Sequence, residues 1–239
     1  DLKGADGNWA EIAENYEVKA SESIRTNIGT KATLELPDKS IVRLNENSEI
    51  KFAELGMADI IVEQIRGTVF HRVNDQSTAI YRVKTKNIEF TSLGTAFNVE
   101  AGASSANLIV TENRVKVKIY NNDEIVNMRT VEAGTRAEIN PALPMDQMIK
   151  TTSVAASDLL AIPWYAWNLE ADIKANFFLG LFAELTKLII SEPAQGELTT
   201  DQDKIKIKGQ TDPEASIFIV GKELDNNNGY FHNVIEIRF

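Results

Sequence analysis

The sequence predicts a mainly β protein, and three observations carry this prediction. Apolar and polar residues alternate in short runs between residues 24 and 139, as at Ala32, Leu34 and Leu36, and a period of two is typical of half-buried strands. Glycines followed by threonine recur between these runs. From Thr151 the apolar spacing becomes helical. Because 43% of the residues are hydrophobic, we expect a folded β domain followed by a helical tail.

The Gly-Thr pair predicts bends between strands. It stands at Gly29, Gly67, Gly94 and Gly134, and Asn113 takes an equivalent place. Both residue types tolerate a left-handed backbone. Around Gly94, alternating runs at 88–92 and 96–99 predict a strand pair with a glycine corner. The later bends are about twenty residues apart, which suits one winding of a solenoid. We favour a solenoid-like β-roll, and a twisted β-sandwich stays open as the alternative.

The elements before the tail follow in order. Residues 1–20 are polar and predict a short segment that docks on the next domain. Pro37 to Ser40 supplies turn chemistry between two alternating runs, which predicts a hairpin. Asn121-Asn122-Asp123 predicts another hairpin turn. Two prolines, Pro141 and Pro144, end the β domain, which we assign to residues 21–145.

Residues 151–190 predict a helical tail. Pro163 lies where the first turn of a helix accepts proline. We expect one long helix, broken near Asp172, which Trp164 and Trp167 anchor to the β domain because each buries a large apolar area. A polar stretch with Pro193 and Gly196 follows and predicts a linker over residues 191–203.

An ordered set of phrases runs through residues 21–140. It includes Leu36-Pro37-Asp38-Lys39-Ser40-Ile41-Val42-Arg43-Leu44, Gly67-Thr68-Val69-Phe70-His71-Arg72-Val73, Tyr81-Arg82-Val83-Lys84-Thr85 and Leu93-Gly94-Thr95-Ala96-Phe97-Asn98-Val99. In this order the phrases resemble the FecR domain family, the periplasmic regulator domain first met in iron-dicitrate signalling. The resemblance implies a solenoid-like or twisted β-roll. In the family's best-known setting this domain relays a signal through protein contacts, a role that we do not assume for this chain. At Lys39 the family has glycine, so we expect a type I turn without a positive φ.

Two later stretches carry further resemblances. Trp164-Tyr165-Ala166-Trp167-Asn168, with Asp172, resembles the tail of the Gram-positive-like branch of that family. Residues 205–222, followed by Asn228-Gly229-Tyr230-Phe231, resemble the opening strands of bacterial immunoglobulin-like modules of the glucodextranase-B-like kind. An ordinary module of this type takes about a hundred residues. We therefore expect residues 203–239 to form an incomplete β-sandwich module.

Composition restricts the partners and the compartment. With 25 Lys and Arg against 35 Asp and Glu, the net charge is -10, which argues against a nucleic-acid partner. Cysteine is absent, so there is no disulfide or thiolate chemistry. Residues 177–190 include Glu184 and Lys187 and are too short to span a membrane. The resemblance implies an extracytoplasmic protein, with a membrane anchor upstream of Asp1 in the full-length form.

No residue pattern predicts catalysis, a cofactor or a metal. The two histidines, His71 and His232, fall in different predicted domains, and a structural strand residue is the favoured interpretation of His71. Residues 225–229 could suggest calcium, but no bidentate glutamate follows at the required offset, so a hairpin turn is favoured. Asp201 and Asp203 lie in the polar linker and predict a solvated pair. The residues we single out are therefore structural: the four glycines, Trp164 and Trp167.

Two surface features remain as candidate contact sites. A basic strip could form from Arg66, Arg72, Tyr81, Arg82, Lys84 and Lys86, although alternation of this kind usually keeps the outer face of a strand wet. Open sheet edges could accept a strand from a partner. Our first hypothesis is a non-enzymatic sensor or scaffold that binds a protein or an envelope ligand. The competing hypothesis is a carbohydrate-binding or adhesive accessory protein, which an exposed aromatic strip would favour.

Overall fold

The computed structural model divides the chain into two compact units, Asp1–Trp164 and Tyr165–Phe239. It describes residues 1–4, 7–12, 16–92, 94–175, 177 and 180–182, and the backbone of residues 183–185, 189–192, 204–210, 217–219, 222–224, 226–227 and 230–236. The boundary between the units therefore falls inside the predicted helical tail.

The first unit is built from strands that form two sheets. The strands are β1 (Leu2–Lys3), β2 (Trp9–Ala10), β3 (Ser23–Arg25), β4 (Ala32–Glu35), β5 (Ile41–Leu44), β6 (Glu49–Leu55), β7 (Asp59–Arg72), β8 (Ile80–Lys84), β9 (Ile88–Ser92), β10 (Ala96–Ala101), β11 (Ala106–Glu112), β12 (Arg114–Asn121), β13 (Glu124–Glu132), β14 (Thr135–Ile139) and β15 (Ile149–Ser153). The first sheet has the order β2-β1-β3-β6-β7-β8-β9-β12-β13 and the second β4-β5-β7-β10-β11-β14-β15.

A single apolar core lies between the two sheets. Val83 and Phe90 of the first sheet belong to the same cluster as Val99 and Leu108 of the second, and none of these side chains is exposed to solvent. The alternating runs supply this core because every second side chain of a strand points to one face. The prediction of a mainly β fold is confirmed.

The chain passes from one sheet to the other at the predicted bends. β7 pairs in the first sheet up to Arg66 and in the second from Gly67 onward. Between β9 and β10 the crossing lies at Gly94, between β11 and β12 at Asn113, and between β13 and β14 at Gly134. All of these residues have a positive φ. The bends are therefore corners between layers.

The predicted strand pair around Gly94 is wrong. β9 bonds to β8 and β12 in the first sheet, whereas β10 bonds to β7 and β11 in the second. The corner separates the two runs because it carries the chain across the core. Each hairpin lies within a single sheet: β8–β9 and β12–β13 in the first, and β10–β11 in the second.

The strand pairings leave the solenoid-like part of the prediction unconfirmed. Stacked coils would place equivalent strands of successive windings side by side. In the described chain β7–β8 is a parallel pair. The other strand pairs of the first unit are antiparallel and lie either within a hairpin or between strands of neighbouring hairpins. Strand periodicity alone could not separate these arrangements, since both require one buried face.

The turn between β4 and β5 also differs from expectation. Lys39 has a φ of 70°, so the expectation of a hairpin without a positive φ is wrong: Lys39 is the left-handed residue that follows the two central residues of the turn, Pro37 and Asp38. The Lys39 N–H donates to the Leu36 carbonyl at 2.9 Å, and the Leu36 N–H donates to the Ser40 carbonyl at 2.8 Å. This tight closure of the hairpin holds the lysine backbone in a conformation that suits glycine.

The predicted tail contains shorter elements than one long helix. Residues 151–153 belong to β15 and pair with β14, in keeping with the strand preference of threonine. Helices α1 (Ala156–Leu160) and α2 (Pro163–Lys174) follow, then a 3₁₀ helix at Gly180–Leu185. Pro163 starts α2 as predicted, and it separates the two helices because proline disfavours a helical residue before it. Among the described residues, no helix is both long and apolar enough to cross a membrane.

The second unit contains further strands. They are β16 (Ile189–Glu192), β17 (Lys204–Gln210), β18 (Ile217–Ile219), β19 (Lys222–Leu224), β20 (Asn226–Asn227) and β21 (Tyr230–Glu236). β16-β17-β21-β20 form one antiparallel sheet and β18 pairs with β19. Ile189 and Ile190 are thus strand residues and not the helix end that we predicted, since they pair with β17. Residues 193–203 of the predicted linker, with Asp201 and Asp203, lie outside the described residues.

Candidate interaction surface

The two sheets end together on one side of the first unit. β13 is the last strand of the first sheet and β15 the last strand of the second. The Arg129 guanidinium on β13 donates from Nη1 to the Ile149 carbonyl on β15 at 3.2 Å, which shows that the two edges are neighbours. We call this region, residues 124–132 and 140–153, the open end.

β15 directs alternate backbone groups away from its partner. The Asn140 N–H donates to the Met148 carbonyl, and the Val154 N–H donates to the Gly134 carbonyl, both at 2.9 Å. In the register of β14 and β15 this makes Lys150 and Thr152 the residues bonded to β14. In an antiparallel ladder the residues between them point outward. Ile149, Thr151 and Ser153 therefore face the open edge, and in the described chain β14 is the strand that pairs with β15.

The same reasoning applies to β13. The Ala133 N–H donates to the Asn113 carbonyl at 2.8 Å, and the register then bonds Val131 and Arg129 to β12. The backbone groups of Met128 and Thr130 consequently point away from the sheet. Both sheets thus present strand edges with outward-pointing backbone groups at the open end, which is the arrangement that accepts an added strand.

Polar side chains hold the open end together from within. The Asn127 Nδ2 donates to the Met145 carbonyl at 2.6 Å, and Arg129 bonds to Ile149 as described. The connection between β14 and β15 is folded by turns, since the Gln147 N–H donates to the Pro144 carbonyl at 2.8 Å. These bonds fix the edge strands in place, so that the surface exists before any partner arrives.

Large apolar side chains are exposed at the open end. Met128 on β13 is 57% exposed and Met145 in the β14–β15 connection is 63% exposed, and Ile125 and Leu143 are also exposed. Methionine adapts its shape to a partner because its side chain is unbranched and flexible. Exposed apolar groups beside unpaired strand edges are typical of a protein-contact surface.

A cavity of about 640 Å³ adjoins β15. Its walls combine the β14–β15 hairpin and its connection with the beginning of β11 and with Arg129. Side chains of both charges line the cavity, namely Arg129 and Lys150 together with Glu138 and Asp146. The cavity therefore offers polar contacts beside the edge strand and shows no bias toward ligands of one charge.

The predicted structural residues do not gather into one site. Gly29, Gly67, Gly94 and Gly134 all have positive φ but lie at separate corners. Trp164 is 5% exposed and its Nε1 donates to Asn98 Oδ1 on β10 at 2.8 Å. Trp167 is half-buried in the second unit, and its anchoring role stays a prediction.

The basic strip is dispersed into ion pairs. Arg82 lies 2.8 Å from Asp59, and Arg66 lies 3.3 Å from Glu49. Arg72 lies in the second sheet, where its Nη1 is 2.9 Å from Glu112 Oε2. Tyr81 is in the core. Arg66, Arg72 and Arg82 therefore do not form a strip of free positive charge, because carboxylates on neighbouring strands face these cations.

Glu89 is the centre of the outer face of the first sheet. Its Oε1 accepts from Lys118 Nζ at 2.7 Å, and Lys84 Nζ is 3.8 Å away. Partial burial by itself raises the pKa of Glu89, but the hydrogen bond and charge of Lys118, with Lys84, outweigh burial and hold the pKa below its ordinary value. This face is a cross-strand network of paired charges and not a free binding site.

His71 lies deep in the core and away from the open end. It is fully buried, its Nδ1 is 2.9 Å from the Tyr81 hydroxyl, and its ring stacks on Phe97. Burial lowers the pKa of His71 to about 3 and raises the pKa of Tyr81 well above its ordinary value. At neutral pH both groups are uncharged and inaccessible, which agrees with the structural interpretation of His71.

The open end was not predicted from the sequence. Alternation at Val126, Met128 and Thr130 predicted a strand, but it could not say that this strand lies at an edge or that its methionine faces solvent. The signal available in the sequence was the pair of methionines, Met128 and Met145, near the predicted end of the domain. Within the described residues, no group of three or more acidic or histidine side chains could hold a metal. Among the large hydrophobic side chains that are exposed in the same residues, the aromatic one is Tyr16.

Comparisons with known proteins find a family match over part of the chain and two structures with a similar fold. Residues 22–116 match the family described as FecR protein. A crystal structure of a candidate anti-sigma factor from Parabacteroides distasonis ATCC 8503 is similar, with a TM-score of 0.50, 21% identity and coverage of 62% of this chain and 64% of that chain. Another structure under the same description has a TM-score of 0.49, 21% identity and coverage of 58% and 62%.

The match to these two structures is partial. This chain matches less than two thirds of the length of either structure, and at 21% identity the likeness shows the fold alone. A comparison with curated proteins finds no match. The FecR resemblance is thus confirmed for residues 22–116, and neither the tail nor residues 203–239 are covered by that family match.

Proposed function

We propose that this chain is a signalling regulator of the FecR type, which acts through contacts with other proteins and without catalysis. The family match over residues 22–116 carries the proposal. The description of the structural relative as a candidate anti-sigma factor supports control of transcription as the output. The exposed open end provides a surface through which such contacts can be made.

A genetic replacement in the source bacterium tests this function. We expect deletion of the gene to change a restricted set of transcripts, measured by RNA sequencing, and reintroduction of the wild-type gene to restore them. Met128→Lys combined with Thr151→Pro should behave like the deletion. The lysine removes exposed apolar area, and the proline removes an outward N–H without breaking a bond to β14.

Matched controls separate loss of contact from loss of folding. Met57→Lys makes the same change at a methionine that is 81% exposed in the β6–β7 hairpin, several strands away from β13, and should restore the transcripts. The variant proteins should keep the wild-type melting temperature to within a few degrees, since surface substitutions usually cost little. An unchanged transcript profile in the deletion strain would remove the regulator proposal.

The proposal includes an extracytoplasmic location with a membrane anchor outside residues 1–239. The FecR match supports it because the family resemblance implies a periplasmic domain. A fusion of the full-length gene to a reporter that is active only after export should be active, whereas an inactive fusion that is stably expressed would contradict the location. No observation favours a glycan partner, since the exposed aromatic strip required by that alternative is not seen among the described side chains.

We also propose that residues 203–239 belong to an immunoglobulin-like module. The antiparallel pairing of β17 with β21, and of β18 with β19, supports this assignment because sandwiches of that kind are built from short antiparallel strands. The Gram-positive-like branch remains part of the same proposal through the Trp164 tail. Solving the structure of a longer chain that continues past Phe239 would test whether a second sheet completes the module.

A further inference from the structure

We propose that the open end binds the open end of a second copy of this chain, with β15 paired antiparallel to β15 about a twofold axis at Thr151. The inference rests on the proposed function only in treating the open end as a protein-contact surface. It names the partner of that surface, and it can fail while the regulator function stands.

The backbone of β15 determines the chemistry of the occupant. Thr151 directs both its N–H and its C=O outward, and Ile149 and Ser153 do the same on either side of it. Donors and acceptors that alternate at every second residue are matched by another extended backbone. The side chains of Lys150, Thr152 and Ser153 are exposed, and in the described part of the first unit Arg129 contacts this edge, at the Ile149 carbonyl.

The register makes β15 complementary to itself. With the axis at Thr151, the two Thr151 residues exchange N–H to C=O bonds. Lys150 then lies opposite Thr152 of the second copy, so the two lysine charges do not face each other across the pair. Threonine pairs across strands are favourable, whereas like charges directly opposite destabilise a ladder. A shift of the β15–β15 register by two residues would lose both the Thr151–Thr151 pair and the Lys150–Thr152 pairs.

The neighbouring positions for the axis are poorer. An axis at Ser153 would place the start of α1, which begins at Ala156, against the strand of the second copy. An axis at Ile149 would place the folded turn at Pro144 to Gln147 against it. With the axis at Thr151, the Ile149 carbonyl keeps its bond from Arg129 and can still accept from Ser153 of the second copy, because a carbonyl oxygen accepts two bonds.

Apolar contacts and symmetry add to the backbone pairing. The edge of β13 and the β14–β15 connection lie at the same end, so the exposed Met128 and Met145 of both copies approach the interface. Burial of such area is the main favourable contribution in most protein association. A twofold interface uses the same patch on both copies and closes on itself, which protects an exposed edge from further aggregation.

Cysteine cross-linking tests the register directly, because the chain contains no cysteine. In the full 239-residue chain, Thr151→Cys should form a disulfide-linked dimer under mild oxidation. Its rate should exceed that of Thr33→Cys, an exposed threonine on the opposite edge strand β4, by at least about tenfold, since pairing raises the effective thiol concentration. Wild-type protein should sediment as a concentration-dependent dimer.

A mixed pair of variants provides the sharper control. Lys150→Cys alone and Thr152→Cys alone should cross-link slowly, because each faces the other residue type across the axis, while a mixture of the two should cross-link quickly. A monomer at all concentrations, or Thr151→Cys no faster than Thr33→Cys, would overturn the inference. Slow cross-linking with an intact transcriptional response removes the dimer alone. Fast cross-linking without that response supports the dimer and removes the regulator function.

Discussion

At the scale of single residues, the corner glycines are required for two separable reasons. Gly29 and Gly94 both have a positive φ, 71° and 66°. A Cβ at Gly29 would meet nothing within 4 Å, whereas a Cβ at Gly94 would lie 2.8 Å from the Cα and the Cβ of Asp75. Backbone conformation alone makes the first position costly, and a collision with a neighbouring loop is added at the second.

We expect Gly94→Ala to destabilise the protein more than Gly29→Ala. The left-handed backbone costs an alanine about 1 to 2 kcal/mol at either site, and the displacement of Asp75 should add on the order of 1 to 3 kcal/mol at Gly94. Urea unfolding followed by tryptophan fluorescence measures both variants. Equal losses of unfolding free energy would contradict the close approach.

His71 is the other residue whose burial has a measurable consequence. In the unfolded chain its pKa is ordinary, at 6.5, while burial lowers the folded value to about 3. Between these values the unfolded state binds more protons than the folded state. The free energy of unfolding therefore falls as the pH drops below 6.5, by up to about 1.4 kcal/mol per pH unit, until the folded pKa is reached.

We expect His71→Phe to lose this contribution to the pH dependence. The unfolding free energy of the wild type minus that of the variant should fall by about 2 kcal/mol from pH 6.5 to pH 5, because the wild type loses stability. Denaturant titrations at each pH provide the measurement. Tyr81→Phe, which removes the hydrogen-bond partner but keeps the imidazole, should retain the wild-type dependence. Parallel pH profiles for wild type and His71→Phe would refute the assignment.

At the scale of elements, each hairpin lies in one sheet, and most crossings between the sheets contain a glycine or asparagine with a positive φ, whereas the chain crosses from β7 to β8 through residues 73–79 without one. Where glycine or asparagine stands, the crossing is unstrained. Within the β4–β5 hairpin, Lys39 holds a left-handed conformation although it is neither glycine nor asparagine. Its exposed ion pair with Glu35, at 2.5 Å, offsets little of that strain because exposed pairs contribute little to stability.

We expect Lys39→Gly to raise the free energy of unfolding by about 0.5 to 1 kcal/mol, because glycine relieves the strained φ. Lys51→Gly is the matched control. Lys51 lies within β6 and also pairs with a carboxylate, Glu63 at 3.5 Å, but its conformation is an ordinary extended one. That substitution should destabilise by roughly 1 kcal/mol, and a loss of stability in both variants would argue against strain at Lys39.

At the scale of the whole molecule, the first unit has one core shared by two sheets. Phe90 of the first sheet and Leu108 of the second are fully buried in the same cluster, and β7 runs through both sheets. Neither sheet has a core of its own. The two layers should therefore unfold together, in one cooperative transition.

We expect Phe90→Ala to lower the opening free energy of amides in both sheets by the same amount, about 3 to 5 kcal/mol. Native-state hydrogen exchange of Val117 in the first sheet and Val110 in the second measures this directly. Met57→Lys, on an exposed hairpin, should change neither amide. Faster exchange confined to Val117 would show that the first sheet opens on its own.

Much of the fold followed from local pattern, and the errors share one cause. The bends at Gly67, Gly94 and Gly134 were located correctly because a left-handed backbone restricts residue type. The partners of the strands on either side of Gly94 were wrong because pairing depends on which layer each strand enters. Residues 151–153 were assigned to a helix because the neighbouring apolar spacing outweighed three residues whose strand form depends on β14.

The sequence by itself determined the class of this protein, the positions of its bends, and a family resemblance that the match over residues 22–116 bears out. These are local properties, since backbone tolerance and side-chain alternation are set by neighbours in the chain. Only the tertiary structure decided that hairpins alternate between two sheets and that β13 and β15 end side by side. The physical reason is that an edge is defined by the strand that is missing beside it, which no local pattern encodes.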